Sequence, residues 1–270
     1  MFYLLAAILC SACVSIVMRW SKEQVQQPTA LLVVNYLTCT ICALCFCTSF
    51  AMDGASFACG GIMGILLVAG LALLQYNIRI YGVIVSSLYT RLGVIVPILC
   101  SIVLFYETPV WTQCLGIFSA LLSIFYLNHQ KEQQAVGISL LVLLLANGTC
   151  DAMNKVFEAV GDPLYNGQFL LIAFGSAWLL TICWTLKRKE KITKKEIFFG
   201  LLIGVPNYFS SRFLLYSLQE VQAVIAYPTY SVLTIIVITI FGLWLWHEQM
   251  TKKTVLGMIG ILFSILLMNV

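Results

Sequence analysis

The chain has 270 residues, of which 61% are hydrophobic and 10% charged, and its mean hydropathy is +0.98. A soluble globular domain carries about 25% charged residues to cover its surface, so a soluble fold is excluded. The basic surplus, 15 Lys and Arg against 11 Asp and Glu, is read as membrane topology and not as a nucleic-acid partner.

Apolar runs predict ten spans, at 2–18, 30–50, 60–78, 82–106, 110–127, 136–157, 164–186, 197–217, 221–246 and 254–269. At about 20 residues per spanning helix they take about 200 residues and leave about 70 for loops, too few for an extramembrane domain. The first run has no basic segment before it and no small-residue cleavage site after it, so it reads as a span and not as a signal peptide. Short turns are expected at Asp53-Gly54, Tyr81-Gly82, Glu107-Thr108-Pro109 and Gly161-Asp162-Pro163, where the residues favour turns or helix starts.

Basic residues follow the odd-numbered spans. They are Arg19 and Lys22, Arg79, Lys131, the six of Lys187, Arg188, Lys189, Lys191, Lys194 and Lys195, and Lys252 with Lys253. The even-numbered loops hold essentially only Lys155, at the end of span six. The positive-inside rule then puts the odd loops in the cytoplasm and both termini outside. Most of the eleven cysteines lie within apolar runs, and the two histidines, His129 and His247, lie apart from them. The cysteines are read as small packing residues, and no metal or cofactor is expected.

The chain repeats itself. At an offset of 141, Glu107 meets Glu248, Leu115 meets Leu256, Gly116 meets Gly257, Ser123 meets Ser264, Tyr89 meets Tyr230 and Val83 meets Val224; Gly60-xxx-Gly64 and Gly200-xxx-Gly204 stand 140 apart. The shift carries five spans onto five. Because five is odd, the second copy enters the membrane inverted, the construction from which many secondary transporters obtain two packings around a midplane site. The expected fold is an all-α integral membrane protein of ten helices in two inverted halves, 1–135 and 136–270. The small-xxx-small glycines allow close helix approach, either within the chain or as a homodimer face.

Each half closes on a span ending in Glu, a short turn, and Gly nine positions on, with Pro97 or Pro228 upstream. This resembles the EamA-type repeat of the drug/metabolite transporter superfamily. The resemblance implies a multi-pass carrier, often an exporter, of small metabolites across the cell membrane, and family members usually keep both termini in the cytoplasm, opposite to the charge count. Asn35 stands in span two where such proteins often place a basic residue.

Ionisable groups within spans cost several kcal/mol unless they face water or a partner, so they are candidate site residues. Arg91, in the middle of span four, offers a fork for a carboxylate or phosphate, or else pairs with Asp151. In span six, Asn147, Asp151 and Lys155 share one stripe at helical spacing. Asp151 reads either as a proton-coupling or amine-binding carboxylate or as the partner of Lys155. In span eight, Asn207, Tyr208 and Arg212 form a polar stretch that faces a water-filled space, unless Arg212 snorkels to the interface. Tyr89, Tyr227 and Tyr230 read as pocket walls or interfacial anchors. Glu107 and Glu248 read as polar caps at span ends.

The leading function is a secondary transporter of a small anionic or zwitterionic metabolite, such as an amino acid, organic acid or phosphorylated compound, with the lipid bilayer as its other partner. No Walker motif is present, so ATP drive would need another subunit. The alternative is an integral-membrane enzyme acting on a lipid-linked substrate, against which stands the lack of a catalytic cluster. A receptor or assembly partner without transport is a third class.

Overall fold

In a bilayer every backbone N–H and C=O must be satisfied within the protein, which leaves helices for a chain of this composition. The computed structural model describes residues 1–21, 24–25, 27–47, 53–128 and 138–246, with 256, 259, 260, 263, 264 and 267. The described residues form helices α1 (Phe2–Ser21), α2 (Pro28–Phe46), α3 (Gly54–Leu92), α4 (Ile95–Leu104), α5 (Trp111–Asn128), α6 (Ile138–Val160), α7 (Asn166–Arg188), α8 (Lys194–Glu220) and α9 (Ala223–Trp246), plus a 3-10 turn at Pro163–Tyr165. Six helical segments, Phe2–Ser21, Pro28–Phe46, Gly54–Leu74, Ile138–Val160, Pro163–Arg188 and Lys194–Glu220, are long and apolar enough to cross a membrane.

Helix starts follow the expected chemistry. The Asp53 carboxylate accepts from the Ser56 N–H at 2.7 Å, and Asp162 accepts from the Leu164 N–H at 2.8 Å, each satisfying a donor that the first helical turn leaves open. Glu196 supplies the carboxylate arm of a capping box to Thr193 before α8. The Thr193 N–H donates to Glu196 Oε2 at 3.0 Å, and the Thr193 hydroxyl donates to the same carboxylate.

One expected turn is corrected. Helix α3 runs through Tyr81-Gly82 without a break, and the chain turns instead at Gly93–Val94. A lone Gly inside a helical pattern costs only about 1 kcal/mol and does not end it. A proline within a helix costs about 3 kcal/mol. With the turn at Gly93, Pro97 falls in the first turn of α4, where its missing N–H is not needed.

Two compact units result, one of Met1–Val68 with Val156–Glu220, the other of Ala69–Lys155 with Val221–Val270. In the first, α8 packs on α1 and α2, and α7 packs on α2. Its core includes Val17, Leu31, Phe199 and Ile203 and the stacked rings of Phe157 and Phe169, 4.3 Å apart. In the second, α9 packs on α4 and α5, and α3 meets α6 through Asn77 and Ser139, where the hydroxyl donates to Asn77 Oδ1 at 2.8 Å.

Glycines set the crossing distances. A Cβ on Gly60 would lie 2.8 Å from the Phe169 carbonyl oxygen of α7, one on Gly200 2.5 Å from Val34 Cβ of α2, and one on Gly204 2.5 Å from Thr38 Cβ and 2.8 Å from the Asn35 carbonyl oxygen. Both small-xxx-small pairs are thus occupied inside one chain. In the second unit a Cβ on Gly148 of α6 would stand 2.3 Å from the Gly93 carbonyl oxygen. Gly204→Ala is expected to lower thermal stability by about 1–3 kcal/mol, because a backbone and a branched side chain must give way. Gly61→Ala, whose Cβ meets nothing within 4 Å, is expected to be neutral or to stabilise by up to about 1 kcal/mol. Melting of the two detergent-solubilised variants checks the pair.

Candidate functional site

Among the described residues, two groups of polar side chains within the helices include the candidate site residues, one group in each unit. The first lies on α8 around Pro206, which falls inside the helix and removes one i→i−4 hydrogen bond. Asn207 Nδ2 donates to Asn35 Oδ1 of α2 at 3.2 Å and lies 3.7 Å from Cys39 Sγ. The Cys39 thiol in turn donates to the Gly204 carbonyl at 3.2 Å. Asn35 and Cys39 are buried. This polar seam crosses from α2 to α8 at the glycine contact, where backbones come near enough for short side chains to reach across.

One turn on, Arg212 Nη1 donates to the Tyr208 hydroxyl at 2.7 Å. Its guanidinium lies 4.7 Å from the centroid of Phe46, 5.4 Å from that of Tyr216 and 5.9 Å from that of Tyr208. The 208–212–216 spacing places the two tyrosines one turn to either side of the arginine on one helix face. Phe46, the last residue of α2, stacks on the fully buried Tyr208 at 6.0 Å and 14°. Arg212 is half-buried, and among the described residues no carboxylate forms an ion pair with it. Aromatic faces attract the cation but take none of its five N–H donors, which the hydroxyls of Tyr208 and Tyr216 engage in part.

The second place is the stripe Asn147, Asp151 and Lys155 on α6. Asn147 Nδ2 donates to the Leu143 carbonyl at 3.0 Å, and its Oδ1 stands 2.9 Å from where a Cβ on Gly70 would lie. The buried Tyr227 hydroxyl of α9 donates to the Asp151 carbonyl at 2.7 Å. Lys155, considered on sequence as a partner of Asp151, reaches Glu107 Oε1 at 2.9 Å, with both side chains about a tenth exposed. It also lies 5.5 Å from the Phe105 ring centroid.

Glu107 is a cap, as its place in the sequence suggested, but of a distant helix. Its carboxylate accepts the backbone N–H groups of Ala223 at 3.3 Å and Val224 at 3.1 Å, the open donors at the start of α9. Tyr106 adopts a left-handed φ of 54°, and the Glu107 N–H donates back to the Ser101 carbonyl at 3.2 Å, so the chain folds under itself to present the carboxylate. Burial pushes the Glu107 carboxyl up, but the hydrogen bond and charge of Lys155 with the two α9 amides outweigh it and hold the group below its ordinary value.

Tyr89 lies partly exposed near the end of α3, and Tyr230 partly buried on α9. Arg91 belongs to the last turn of α3; its side chain, with Glu248, Gly257 and both histidines, lies outside the described residues. Sequence reasoning grouped Asn207, Tyr208 and Arg212 as one polar stretch, and all three lie on α8, Asn207 bonded to Asn35 and Arg212 to Tyr208. It missed Phe46, Cys39, Pro206 and the role of Asn35. The signal for Pro206 and Asn207 was there, as a Pro-Asn pair in an apolar helix, whereas Phe46 and Cys39 look like any apolar packing residues.

Glu107→Gln is expected to destabilise the protein by about 3 kcal/mol or more at neutral pH, since it leaves Lys155 buried without its counter-charge. A carboxyl held low in the folded state stabilises above its unfolded pKa and loses that contribution as pH falls through the folded value. The gap in melting temperature between wild type and variant should therefore be full at neutral pH and close at acid pH; a gap independent of pH would contradict the ion-pair account.

Residues 137–270 match the EamA-like transporter family. The chain is similar to an uncharacterized protein of Haemophilus influenzae (strain ATCC 51907 / DSM 11121 / KW20 / Rd), at 23% identity over 98% of this chain and 95% of the relative. A solved crystal structure shares the fold with a TM-score of 0.78 at 10% identity, covering 98% of this chain and 94% of that one.

Proposed function

We propose that this multi-pass membrane protein, whose residues 137–270 match the EamA-like transporter family, is a secondary carrier for a small anionic or zwitterionic metabolite, working by alternating access as an exporter. The observation that carries the solute class is Arg212. A guanidinium on a membrane helix costs several kcal/mol unless something compensates it. Here three aromatic rings hold it in place, and among the described residues no carboxylate neutralises it and its donors meet only tyrosine hydroxyls. A carboxylate or phosphate oxygen pair is the natural complement of that fork. Asn207, Asn35 and Tyr208 extend the polar surface beside it.

The inverted arrangement of two five-span halves, 1–135 and 136–270, draws support from the helix pairings. A shift of five spans turns the contact of α3 with α7 at Gly60 and Gly64 into that of α8 with α2 at Gly200 and Gly204. It turns the packing of α1 on α8 into that of α6 on the span-three part of α3, where Asn77 meets Ser139. Such exchange is what two equivalent packings around one site require. Asp151 and Arg91 are the further candidates for coupling and for binding.

A ligand that binds only the folded protein raises its stability by RT ln(1+[L]/Kd), about 2.7 kcal/mol at a hundredfold excess over Kd. Purified protein melted with amino acids, organic acids, sugar phosphates and cationic drugs should respond to carboxylates or phosphates, and Arg212→Gln should abolish the response while Arg212→Lys retains part of it. Responses confined to cations, or a response untouched in Arg212→Gln, would overturn the assignment; uptake of the responding solute into proteoliposomes then tests transport itself.

A further inference from the structure

The stretch between α7 and α8 carries six basic residues within 187–195 and two acidic ones, Glu190 and Glu196. Both carboxylates are already engaged. Glu190 accepts from the Thr29 hydroxyl at the start of α2 and lies 3.7 Å from Arg188, while Glu196 is buried in the capping box of α8. Arg188 is also stacked on Trp184, 4.8 Å from the ring centroid. Five lysines are left over: Lys187, Lys189, Lys191, Lys194 and Lys195, all exposed and none in an ion pair among the described residues. Lys194 and Lys195 stand in the first turn of α8, where the helix's own positive end adds to their mutual repulsion.

The surroundings of these lysines are those of a membrane surface. Trp20, at the end of α1, packs edge-on against Phe199 in the next turn of α8, with centroids 5.3 Å apart, so Trp20 and Trp184 lie at the same end of this unit as the lysines. Tryptophans gather where hydrocarbon gives way to headgroups. Leu186, Ile192, Ile197 and Phe198 alternate with the lysines in sequence and are themselves exposed, which suits a segment dipping its apolar side chains below the headgroup level.

We propose that the α7–α8 segment is a binding surface for anionic phospholipid headgroups, with Lys187, Lys189, Lys191, Lys194 and Lys195 supplying the charge and Trp20 and Trp184 setting the depth. Clusters of four to eight Lys or Arg beside a membrane helix attract acidic lipid, and each is worth roughly a fivefold change in affinity near the surface. The assignment rests on membrane embedding alone and is independent of the transported solute.

The test uses the full chain in phosphatidylcholine nanodiscs and in nanodiscs with a share of phosphatidylglycerol, comparing wild type with a variant carrying K187Q, K189Q, K191Q, K194Q and K195Q. Wild type should melt higher with phosphatidylglycerol, the gain shrinking as salt rises, and should retain that lipid in native mass spectrometry. The glutamine variant should match wild type in phosphatidylcholine and gain nothing from the acidic lipid, while an arginine variant carrying K187R, K189R, K191R, K194R and K195R should keep the gain. If the glutamine variant does not fold, the arginine variant and the salt dependence of wild type carry the test. An equal gain in the glutamine variant, a gain insensitive to salt, or the same gain from inorganic phosphate in phosphatidylcholine nanodiscs would overturn the proposal.

Discussion

Close backbone approach at the glycine crossings governs the rest of this structure. Between helices in lipid there is little hydrophobic force to gain, so association depends on dispersion contacts and on the few hydrogen bonds that near backbones permit. Gly60 and Gly64 of α3 against α7, Gly200 and Gly204 of α8 against α2, and Gly93 against Gly148 bring main chains so near that a methyl group at most of these positions would meet a carbonyl oxygen or a Cβ at under 3 Å. The polar seam of Asn35, Cys39, Gly204 and Asn207 exists because of this: an asparagine reaches only a few ångströms, and at an ordinary helix separation Asn207 would not meet Asn35 at 3.2 Å.

The two charged clusters are handled in opposite ways. Lys155 and Glu107 pair at 2.9 Å, and the carboxylate also accepts from two main-chain donors at the start of α9. Breaking the pair would leave a charge stranded in a poorly solvated place. Arg212, by contrast, is steadied by ring faces and tyrosine hydroxyls, and among the described residues no carboxylate pairs with it.

Much of this was legible in the residues. Hydropathy marked the helices, because twenty apolar residues in a row have no other stable form in lipid. Asp53 and Asp162 announced helix starts, and both cap them. The residues favour a corner at Tyr81-Gly82, whereas the chain turns at Gly93–Val94, which puts Pro97 in the first turn of α4, where its missing N–H is not needed. Glu107 was recognisable as a cap; that it caps α9, 116 residues away, was not, because nothing local encodes which helix end will arrive beside it.

Composition, hydropathy, the 141-residue repeat and the basic loops therefore determined by themselves that this is a multi-pass helical protein and which side chains are costly to embed. Those properties depend on the solvent each residue will tolerate, and a residue's identity states that directly. Only the tertiary structure decided that the glycine pairs are used within the chain, that Lys155 meets Glu107, and that Phe46 closes over Arg212. Each of these joins residues from different helices or depends on which face of a helix is turned inward. The crossing geometry that brings them together is a property of whole helices packed at particular distances, which no single stretch of sequence contains.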